Sequence, residues 1–428
     1  RGSRDRCRSR AMVEYARTVG GEALATLTFH ERAGLLKQLG LTLMAGKDEF
    51  YELSRKTGAT DRDSAVDIDG GFGTVLSYAS KARRELPNDT VYLDGPVEPL
   101  GKKGTFLGQH LYTSRRGVAV QINAFNFPVW GFLEKLAPAF IAGVPTIVKP
   151  ASATAYLTEL VVRRIVESGI LPEGSVQLLC GSAGDLLDHL DGQDSMAFTG
   201  SADTAAVLRA HPTVVASGLH FTAEADSLNA SILGADIGVG DPEFDLYVRQ
   251  LVTEMTVKAG RSAPRSAAPG PRAACRCRRR GRVGETGHDP RRQSRRPRRA
   301  DGRAREYRAA RRGPEITSGT DQIGRHRLRR PRPRRARRRR AVKRRISLAD
   351  PVARQRQLAP EIHDIEAFGP VSTVIGYRDT DDAIALAARG RGSLVASLVT
   401  ADTDVAATVV RGIAAYHGRI LVLTPRMP

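Results

Sequence analysis

Between Val118 and Ser201 the chain alternates short apolar runs with longer segments in which apolar residues recur every three or four positions. The short runs are typical of buried strands, and the wider spacing is typical of helices. The pattern predicts four strands, at residues 118–122, 144–148, 176–179 and 196–198. It predicts helices at residues 130–142, 157–166 and 186–190, and a further helix that opens at Ser201.

Polar and glycine-rich residues follow each predicted strand, at residues 123–128, 149–154, 181–185 and 199–201. Strands that alternate with helices at this pitch predict an α/β fold, with a Rossmann-like parallel sheet covered by helices. Such a sheet binds its ligand beyond the carboxyl ends of its strands. The polar clusters therefore predict a dinucleotide-binding site at that edge.

The charge along the chain changes abruptly after Gly260. Residues 261–345 contain 32 Arg and one Lys against six acidic residues, a net charge of +27. Because the whole chain carries +21, all other residues together carry −6. An ordinary, slightly acidic protein is thus interrupted by a basic block. We predict that this block is disordered, because it has too little apolar surface to fold.

The remaining composition predicts a soluble, cytoplasmic protein. The four cysteines show neither a disulfide framework nor a C-x-x-C metal pair, so we predict no metal site; they are Cys7, Cys180, Cys275 and Cys277. The longest apolar stretch, residues 129–148, contains Glu134 and Lys135, which argues against a membrane span. The chain does not begin with Met, and we expect it to be a fragment.

Five short motifs lie in order along the chain, most of them at predicted strand ends. They are Phe125-Asn126-Phe127-Pro128, Val148-Lys149-Pro150, Phe198-Thr199-Gly200-Ser201, Glu224 with Asn229, and Glu366-Ala367-Phe368-Gly369-Pro370. In order and spacing they resemble the aldehyde dehydrogenase superfamily. Residues 122–128, 181–194 and 224–229 are similar in particular to the dehydrogenase half of the bifunctional ring-opening protein of phenylacetate degradation.

The resemblance implies covalent catalysis. In the family a Cys thiolate attacks the aldehyde, a hydride passes to the nicotinamide, and a Glu deprotonates the water that hydrolyses the thioester. Glu224 matches that base, and Asn126 matches the amide donor that stabilises the oxyanion. The alternatives are a solvated loop Glu and a turn Asn before Phe-Pro. Ala225-Asp226 stands where the superfamily at large has Gly-Gly, a departure that the phenylacetate branch shares.

The resemblance also implies a nicotinamide cofactor. Lys149 matches the residue that hydrogen-bonds the adenine ribose. Three positions further on, many NAD-using members carry a Glu that repels a 2′-phosphate, whereas this chain has Ser152. The small hydroxyl leaves room for the phosphate, so we predict NADP, with NAD as the alternative. Ser152 could instead cap the following helix, and the two roles are compatible.

Further cofactor contacts are implied at the strand ends and in the last motif. Those at the strand ends are Gly181, Thr199, Gly200 and Ser201. Ser201 opens a predicted helix, and free backbone N–H groups at a helix N-terminus suit a pyrophosphate. Glu366 and Phe368 match the pair that holds the nicotinamide ribose and backs the ring.

No cysteine occupies the position of the nucleophile. In the phenylacetate branch Lys-Ala-Gly is followed by Gln-Lys-Cys-Thr-Ala-Ile-Arg, whereas here Lys258-Ala259-Gly260 precedes Arg261-Ser262-Ala263-Pro264-Arg265-Ser266. Written in GC-rich codons, the branch's peptide becomes this one when a single C is deleted after the glycine codon. We therefore predict that residues 261–345 are read out of frame, that Ala263 replaces the nucleophile, and that this copy is inactive.

These observations predict four segments. They are a nicotinamide-dinucleotide domain at residues 13–222, the start of the catalytic domain at 223–260, the basic block at 261–345, and the rest of a disrupted, truncated catalytic domain at 346–428. The implied reaction is the NADP-dependent oxidation of a CoA-linked semialdehyde in phenylacetate degradation, or in the related degradation of benzoyl-CoA. The family is oligomeric. The alternative is a dinucleotide-binding scaffold whose basic block binds nucleic acid without sequence specificity.

Overall fold

The computed structural model describes residues 2–260, 265–268 and 360–424, apart from residues 367 and 370. The described residues all belong to one compact unit. Of the predicted out-of-frame block, only residues 265–268 are among them, and Ala263 lies outside them. The described part therefore contains the predicted strand ends but not the position of the nucleophile.

The N-terminal region is helical. Its helices are α1 (Gly2–Tyr15), α2 (Glu22–Ala25), α3 (Phe29–Ala45), α4 (Lys47–Arg55) and α5 (Asp61–Glu85), with a π-helical turn at Ala16–Gly21. Thr28 and Thr60 begin α3 and α5 with reciprocal capping boxes, which satisfy backbone N–H groups of the first turn. Leu36 of α3 and Phe72 of α5 are fully buried in one apolar cluster. An antiparallel hairpin of β1 (Tyr92–Pro99) and β2 (Leu107–Tyr112) follows.

A five-stranded parallel sheet comes next. Its strands are β3 (Ala119–Ile122), β4 (Thr146–Lys149), β5 (Val176–Leu178), β6 (Ser195–Gly200) and β7 (His220–Ala225). The helices between and around them are α6 (Trp130–Ile141), α7 (Ala155–Glu167), α8 (Ala202–Arg209) and α9 (Pro212–Ser217). The four predicted strands and their alternation with helices are confirmed, and β7 adds a fifth strand. The helix predicted at residues 186–190 is a short 3₁₀ turn, Leu186–His189.

The order in which the chain adds strands to the sheet reverses at β3. The order across the sheet is β5-β4-β3-β6-β7, so the chain runs from β3 outward to β5 and then crosses to β6 on the other side. In open parallel sheets ligands bind beyond the carboxyl ends of the strands at such a switch point. Residues that follow Ile122 in β3, and residues around Gly200 in β6, therefore lie where a ligand is expected.

A second parallel sheet brings together residues before, within and after the basic block. Residues 265–268 of the block form one of its strands, so the predicted disorder of the block is wrong at these four residues. Its order is β11-β10-β8-β9, with β8 (Asn229–Leu233), β9 (Arg265–Ala268), β10 (Ser393–Val399) and β11 (His417–Leu423). The accompanying helices are α10 (Pro242–Thr256), α11 (Pro360–Asp364), α12 (Thr380–Ala388) and α13 (Thr403–Ile413). The two parallel sheets confirm the predicted α/β class. Within the described ranges no helix has the length and apolar character needed to cross a bilayer.

Candidate functional site

Glu224, the predicted general base, lies near the end of β7 beside Thr199 of β6. The two residues are register partners in the parallel ladder, and Thr199 Oγ1 donates a hydrogen bond of 3.1 Å to Glu224 Oε2. Lys135 Nζ of α6 lies 3.6 Å from the same oxygen, and its side chain is only 13% exposed. The partly buried ammonium and the hydroxyl together fix where the Glu224 carboxylate points. Glu224 lies on a strand and not in a loop, with 44% of its side chain exposed.

Asn126, the predicted oxyanion donor, lies in the loop after β3, and two threonines at the start of α7 bond to the backbone on either side of it. Thr154 Oγ1 donates to the carbonyl of Phe125 at 3.2 Å. Thr158 Oγ1 donates to the carbonyl of Pro128 at 2.8 Å, and Thr158 is buried. Because the carbonyls on either side are fixed, the backbone that carries Asn126 has little freedom to move.

Helix α5 supports the same loop from another direction. The fully buried Asp67 accepts hydrogen bonds from the backbone N–H groups of Val129 and Trp130, at 3.2 and 2.9 Å. These groups lie at the start of α6, whose own N-cap residue offers no side-chain cap. Asp67 therefore acts as the N-terminal cap of α6 and fixes the point at which the Asn126 loop ends.

Lys258 links Asp67 of α5 to the chain segment that precedes position 263. Its Nζ lies 3.4 Å from Asp67 Oδ2 and 5.1 Å from the centre of the Phe127 ring. Its backbone N–H donates to Asp63 Oδ1 at 2.6 Å, and its φ of 52° is unusual for a residue other than glycine. Two carboxylates one turn apart on α5 thus hold both the backbone and the side chain of Lys258.

Lys149, the predicted ribose contact, ends β4. Its Nζ donates to the carbonyl of Pro150 at 3.2 Å, and burial lowers the pKa of the ammonium. Ser152 lies exposed in the turn before α7. The residue at the N-cap of α7 is Thr154, so the alternative in which Ser152 caps that helix is wrong. The hydroxyl of Ser152 therefore has no role in starting α7.

Ser201 is the N-cap of α8, as predicted, and its Oγ accepts a hydrogen bond from Thr204 N at 3.3 Å. The sequence predicts that the first N–H groups of this helix are free. Instead Ala202 N donates to Oδ1 of Asp226 at 2.9 Å, so two N–H groups of the first turn already have partners within the protein. Asp226 lies in the connection between β7 and β8, and it thus places a carboxylate at the N-terminus of α8.

Gly181 and Gly200, both predicted to contact the cofactor, require glycine for different reasons. Gly181 has a φ of 103°, and a Cβ atom there would meet no atom within 4 Å. Glycine is therefore required by the backbone conformation, and space lies open beside it. A Cβ atom on Gly200 would lie 2.5 Å from Cζ of Phe198, so at this position glycine is required by close packing.

The last motif comes close to the Asn126 loop. The ring of Phe368 lies edge-on to that of Phe125, with centroids 5.8 Å apart, and 41% of Phe368 remains exposed. Glu366 is half-buried. Burial, with a further contribution from the charge of Asp226, raises its pKa to about 7. The structure thus brings residues separated by more than two hundred positions to one edge of the sheet.

Several residues of the site are beyond the sequence prediction, namely Lys135, Asp67, Thr154, Thr158 and Lys258. A signal for Lys135 exists, because Glu134 and Lys135 are the charges that interrupt an otherwise apolar stretch. No local pattern indicates that Asp67 contacts a helix more than sixty positions away. Among the described residues no three His, Cys, Asp or Glu side chains cluster as metal ligands.

The sheet order and the polar strand ends define a doubly wound α/β protein whose ligand edge lies at β3 and β6. The model of the aldehyde dehydrogenase family matches residues 5–263 and 352–420. The 3,4-dehydroadipyl-CoA semialdehyde dehydrogenase of Aromatoleum evansii is 41% identical, over 96% of this chain and 80% of its own. The chain belongs to the aldehyde dehydrogenase family.

Solved structures of low sequence identity share the fold. An NADP-dependent enzyme of E. coli has a TM-score of 0.66 at 16% identity, covering 98% of this chain and 83% of its own. A NAD-dependent benzaldehyde dehydrogenase of Corynebacterium glutamicum has a TM-score of 0.66 at 17% identity, covering 97% and 85%. Because these two enzymes use different nicotinamide cofactors, the shared fold does not decide the cofactor of this chain.

Proposed function

We propose that this chain carries the cofactor site, the general base and the oxyanion donor of an NADP-dependent dehydrogenase that oxidises a CoA-linked semialdehyde to the acid. The observation that carries the proposal is the position of Glu224 beside Thr199 and Lys135, at the same sheet edge as the Asn126 loop. A base and a fixed amide donor at one edge suit the hydrolysis of a thioester.

Each protein group has one role in the proposed reaction. Glu224 takes a proton from the attacking water while Thr199 and Lys135 hold its carboxylate in place. The side-chain amide of Asn126 donates to the oxygen that becomes negative in the tetrahedral states. The ring of Phe368, which packs edge-on against that of Phe125, would back the nicotinamide ring. When bound, the nicotinamide ring supplies the hydride acceptor.

The residues along the sheet edge fit a dinucleotide. Gly181 leaves open space beside the end of β5, and Gly200 leaves room for the ring of Phe198 at the end of β6. Lys149 and the exposed Ser152 would hold the adenine ribose, and the absence of a carboxylate at position 152 supports NADP rather than NAD. Residues 13–222 would then form the cofactor domain, with Glu366 beside the nicotinamide ribose.

The substrate class follows from the relatives. The enzyme of Aromatoleum evansii is named for a semialdehyde linked to CoA, and it is similar over most of both chains. We propose the same class of substrate here, in the breakdown of aromatic compounds, with the phenylacetate and benzoyl-CoA routes as the two candidates. The product would be the corresponding CoA-linked acid.

This copy would not complete the reaction. Ala263 stands at the position of the nucleophile, and a methyl group cannot form a covalent bond to the aldehyde carbon. The test is an assay of NADPH formation from 3,4-dehydroadipyl-CoA semialdehyde, together with a titration of the same protein with NADP+. We expect saturable binding of the nucleotide without turnover. NADPH formation above a control without enzyme would contradict the loss of activity, and a lack of binding would contradict the proposed cofactor site.

A further inference from the structure

Glu224 and the Asn126 loop share one contact, the ammonium group of Lys135. Lys135 Nζ lies 3.6 Å from Glu224 Oε2 and donates a hydrogen bond of 3.1 Å to the carbonyl of Gly131. Gly131 N in turn donates to the carbonyl of Phe127, the residue after Asn126, at 2.9 Å. A single lysine head group thus ties the carboxylate on β7 to the turn that begins directly after Asn126.

Water can reach the Glu224 carboxylate. Its side chain is 44% exposed, whereas that of Lys135 is 13% exposed. Thr199 Oγ1 and Lys135 Nζ both approach Oε2. Oε1 can therefore take a proton from a water molecule while the contacts that hold the carboxylate stay in place.

The described cysteine side chain is far from this base. Cys180 is free and exposed, and it lies two residues after β5. Because β5 and β7 are the opposite edges of the five-stranded sheet, they are about 19 Å apart at the usual strand spacing. Cys180 therefore cannot take an acyl group in place of the residue at position 263, which is Ala.

We propose that this chain hydrolyses CoA thioesters directly, with water as the nucleophile and without a nicotinamide. The inference rests on the proposed function, since it uses the same base and the same oxyanion donor. In the complete dehydrogenase reaction the sulfur of the thioester belongs to the protein. Here it is the sulfur of CoA, so the substrate class is an acyl-CoA and the missing nucleophile is not needed.

The reaction balances without an oxidant or a reductant. Glu224 takes a proton from water while the water oxygen bonds to the thioester carbon. The carbonyl electron pair moves to the carbonyl oxygen, to which the side-chain amide of Asn126 donates. When the carbonyl double bond forms again, the carbon–sulfur bond breaks and the CoA thiolate takes the proton from Glu224. The products are a carboxylic acid and the CoA thiol.

The experiment measures CoA release from acetyl-CoA and succinyl-CoA by the full chain, with no nicotinamide added and with liquid chromatography as the readout. We expect the released CoA to exceed the amount of protein and to rise in proportion to it. Glu224→Gln keeps an oxygen for the Thr199 hydroxyl but is not a base, and it should slow release at least about a hundredfold. Asn126→Ala should slow release about a hundredfold. Circular dichroism verifies the fold of each variant.

Glu52→Gln is the matched control, because it makes the same change of carboxylate to amide at an exposed position of α4. Its rate of CoA release should equal that of the unaltered chain. The basic block is identical in all variants, so binding of CoA phosphates to it cannot cause differences between them. Mass spectrometry of the intact protein during turnover shows whether an acyl group becomes attached to it.

The outcomes separate the inference from the proposed function. CoA release that is lost in Glu224→Gln and Asn126→Ala, but kept in Glu52→Gln, supports direct hydrolysis. The inference is wrong if release does not exceed that of a control without protein, or if Glu224→Gln is as fast as the unaltered chain. An acyl group on the protein that forms and decays at the rate of CoA release would also overturn it. Saturable binding of NADP+, measured separately on the same protein, decides the proposed cofactor site in every case.

Discussion

Asp67 and Lys258 form a buried ion pair, with 3.4 Å between Oδ2 and Nζ and side-chain exposures of 0% and 8%. Burial raises the pKa of Asp67, while Lys258 and the N–H groups of Val129 and Trp130 oppose that rise. The pair joins three parts of the site: helix α5, the start of α6 and the segment that approaches position 263. A buried ion pair is costly to break on one side, because the remaining charge has no partner.

The first prediction concerns the stability of this pair. Asp67→Asn keeps an acceptor for the N–H groups of Val129 and Trp130 but leaves the Lys258 ammonium without a counter-charge. We expect the free energy of unfolding to fall by about 3–5 kcal/mol. Urea denaturation followed by circular dichroism measures the change.

The matched double variant tests whether the charge is the cause. Asp67→Asn combined with Lys258→Met removes both charges and fills the space of the lysine stem with an apolar side chain. We expect this protein to regain most of the lost stability. Strictly additive losses in the double variant would show that the two residues act independently.

The second prediction concerns cofactor choice at Ser152. Ser152→Glu places a carboxylate in the exposed turn after Lys149, where it would repel a 2′-phosphate. We expect NADP+ binding to weaken about tenfold, with NAD+ binding unchanged or improved. Ala153→Glu, at the neighbouring exposed position, provides the control for added charge. Equal losses for both nucleotides would argue against a role for position 152 in selecting NADP.

The third prediction uses the pKa of Glu366, raised from 4.5 to about 7. The folded protein retains a proton that the unfolded chain releases at lower pH. The stabilising contribution of that proton is full below about pH 4.5 and is lost as the pH rises through 7. Relative to Glu366→Gln, the wild-type chain should therefore lose stability between pH 4.5 and 7 and change little above it.

Melting temperatures of both proteins, measured across this pH range, test the prediction. Asp226→Asn offers a further control, because it removes a charge that raises the pKa of Glu366. In that background the loss of stability relative to Glu366→Gln should be smaller and should be complete at a lower pH. A constant difference between the wild-type chain and Glu366→Gln at every pH would mean that Glu366 titrates normally.

The fourth prediction concerns the reading frame. We expect that one C inserted between the codons of Gly260 and Arg261, with a compensating deletion before residue 359, restores a cysteine at position 263. NADPH formation from a CoA-linked semialdehyde should then be measurable. The control is the same reframed chain with alanine at position 263, which should bind NADP+ without turnover. Stop codons or another arginine-rich tract in the new frame would refute the predicted frameshift.

The strands of the five-stranded sheet could be predicted because their signal is local. Val120 and Ile147 lie in short apolar runs that are buried on both faces, which is typical of a parallel sheet. The fifth strand, His220–Ala225, has a mixed composition because it lies at the edge, with only β6 as a neighbour. Periodicity alone therefore finds the centre of the sheet more readily than its edge.

The support of the site could not be predicted in the same way. Asp67 and Lys258 interact across 191 positions, and nothing in the flanking residues of either one indicates the other. Ser152 and Thr154 show a similar limit at short range. Both residue types are good helix caps, and only the observed start of α7 decides between them. The motifs predict which groups react, whereas the groups that hold those residues in place can be found only from the folded chain.

The contacts described for Lys258 come from Asp63, Asp67 and Phe127, all of which are synthesised before it. Because N-terminal parts of a chain can fold while the ribosome still adds residues, this attachment can form before translation of the arginine-rich stretch is complete. A nascent chain in the correct frame would then leave an already folded surface at Gly260. If residues 261–345 are out of frame, as we predict, restoring the frame would return a cysteine to a scaffold whose departure point at Gly260 is set independently of those residues.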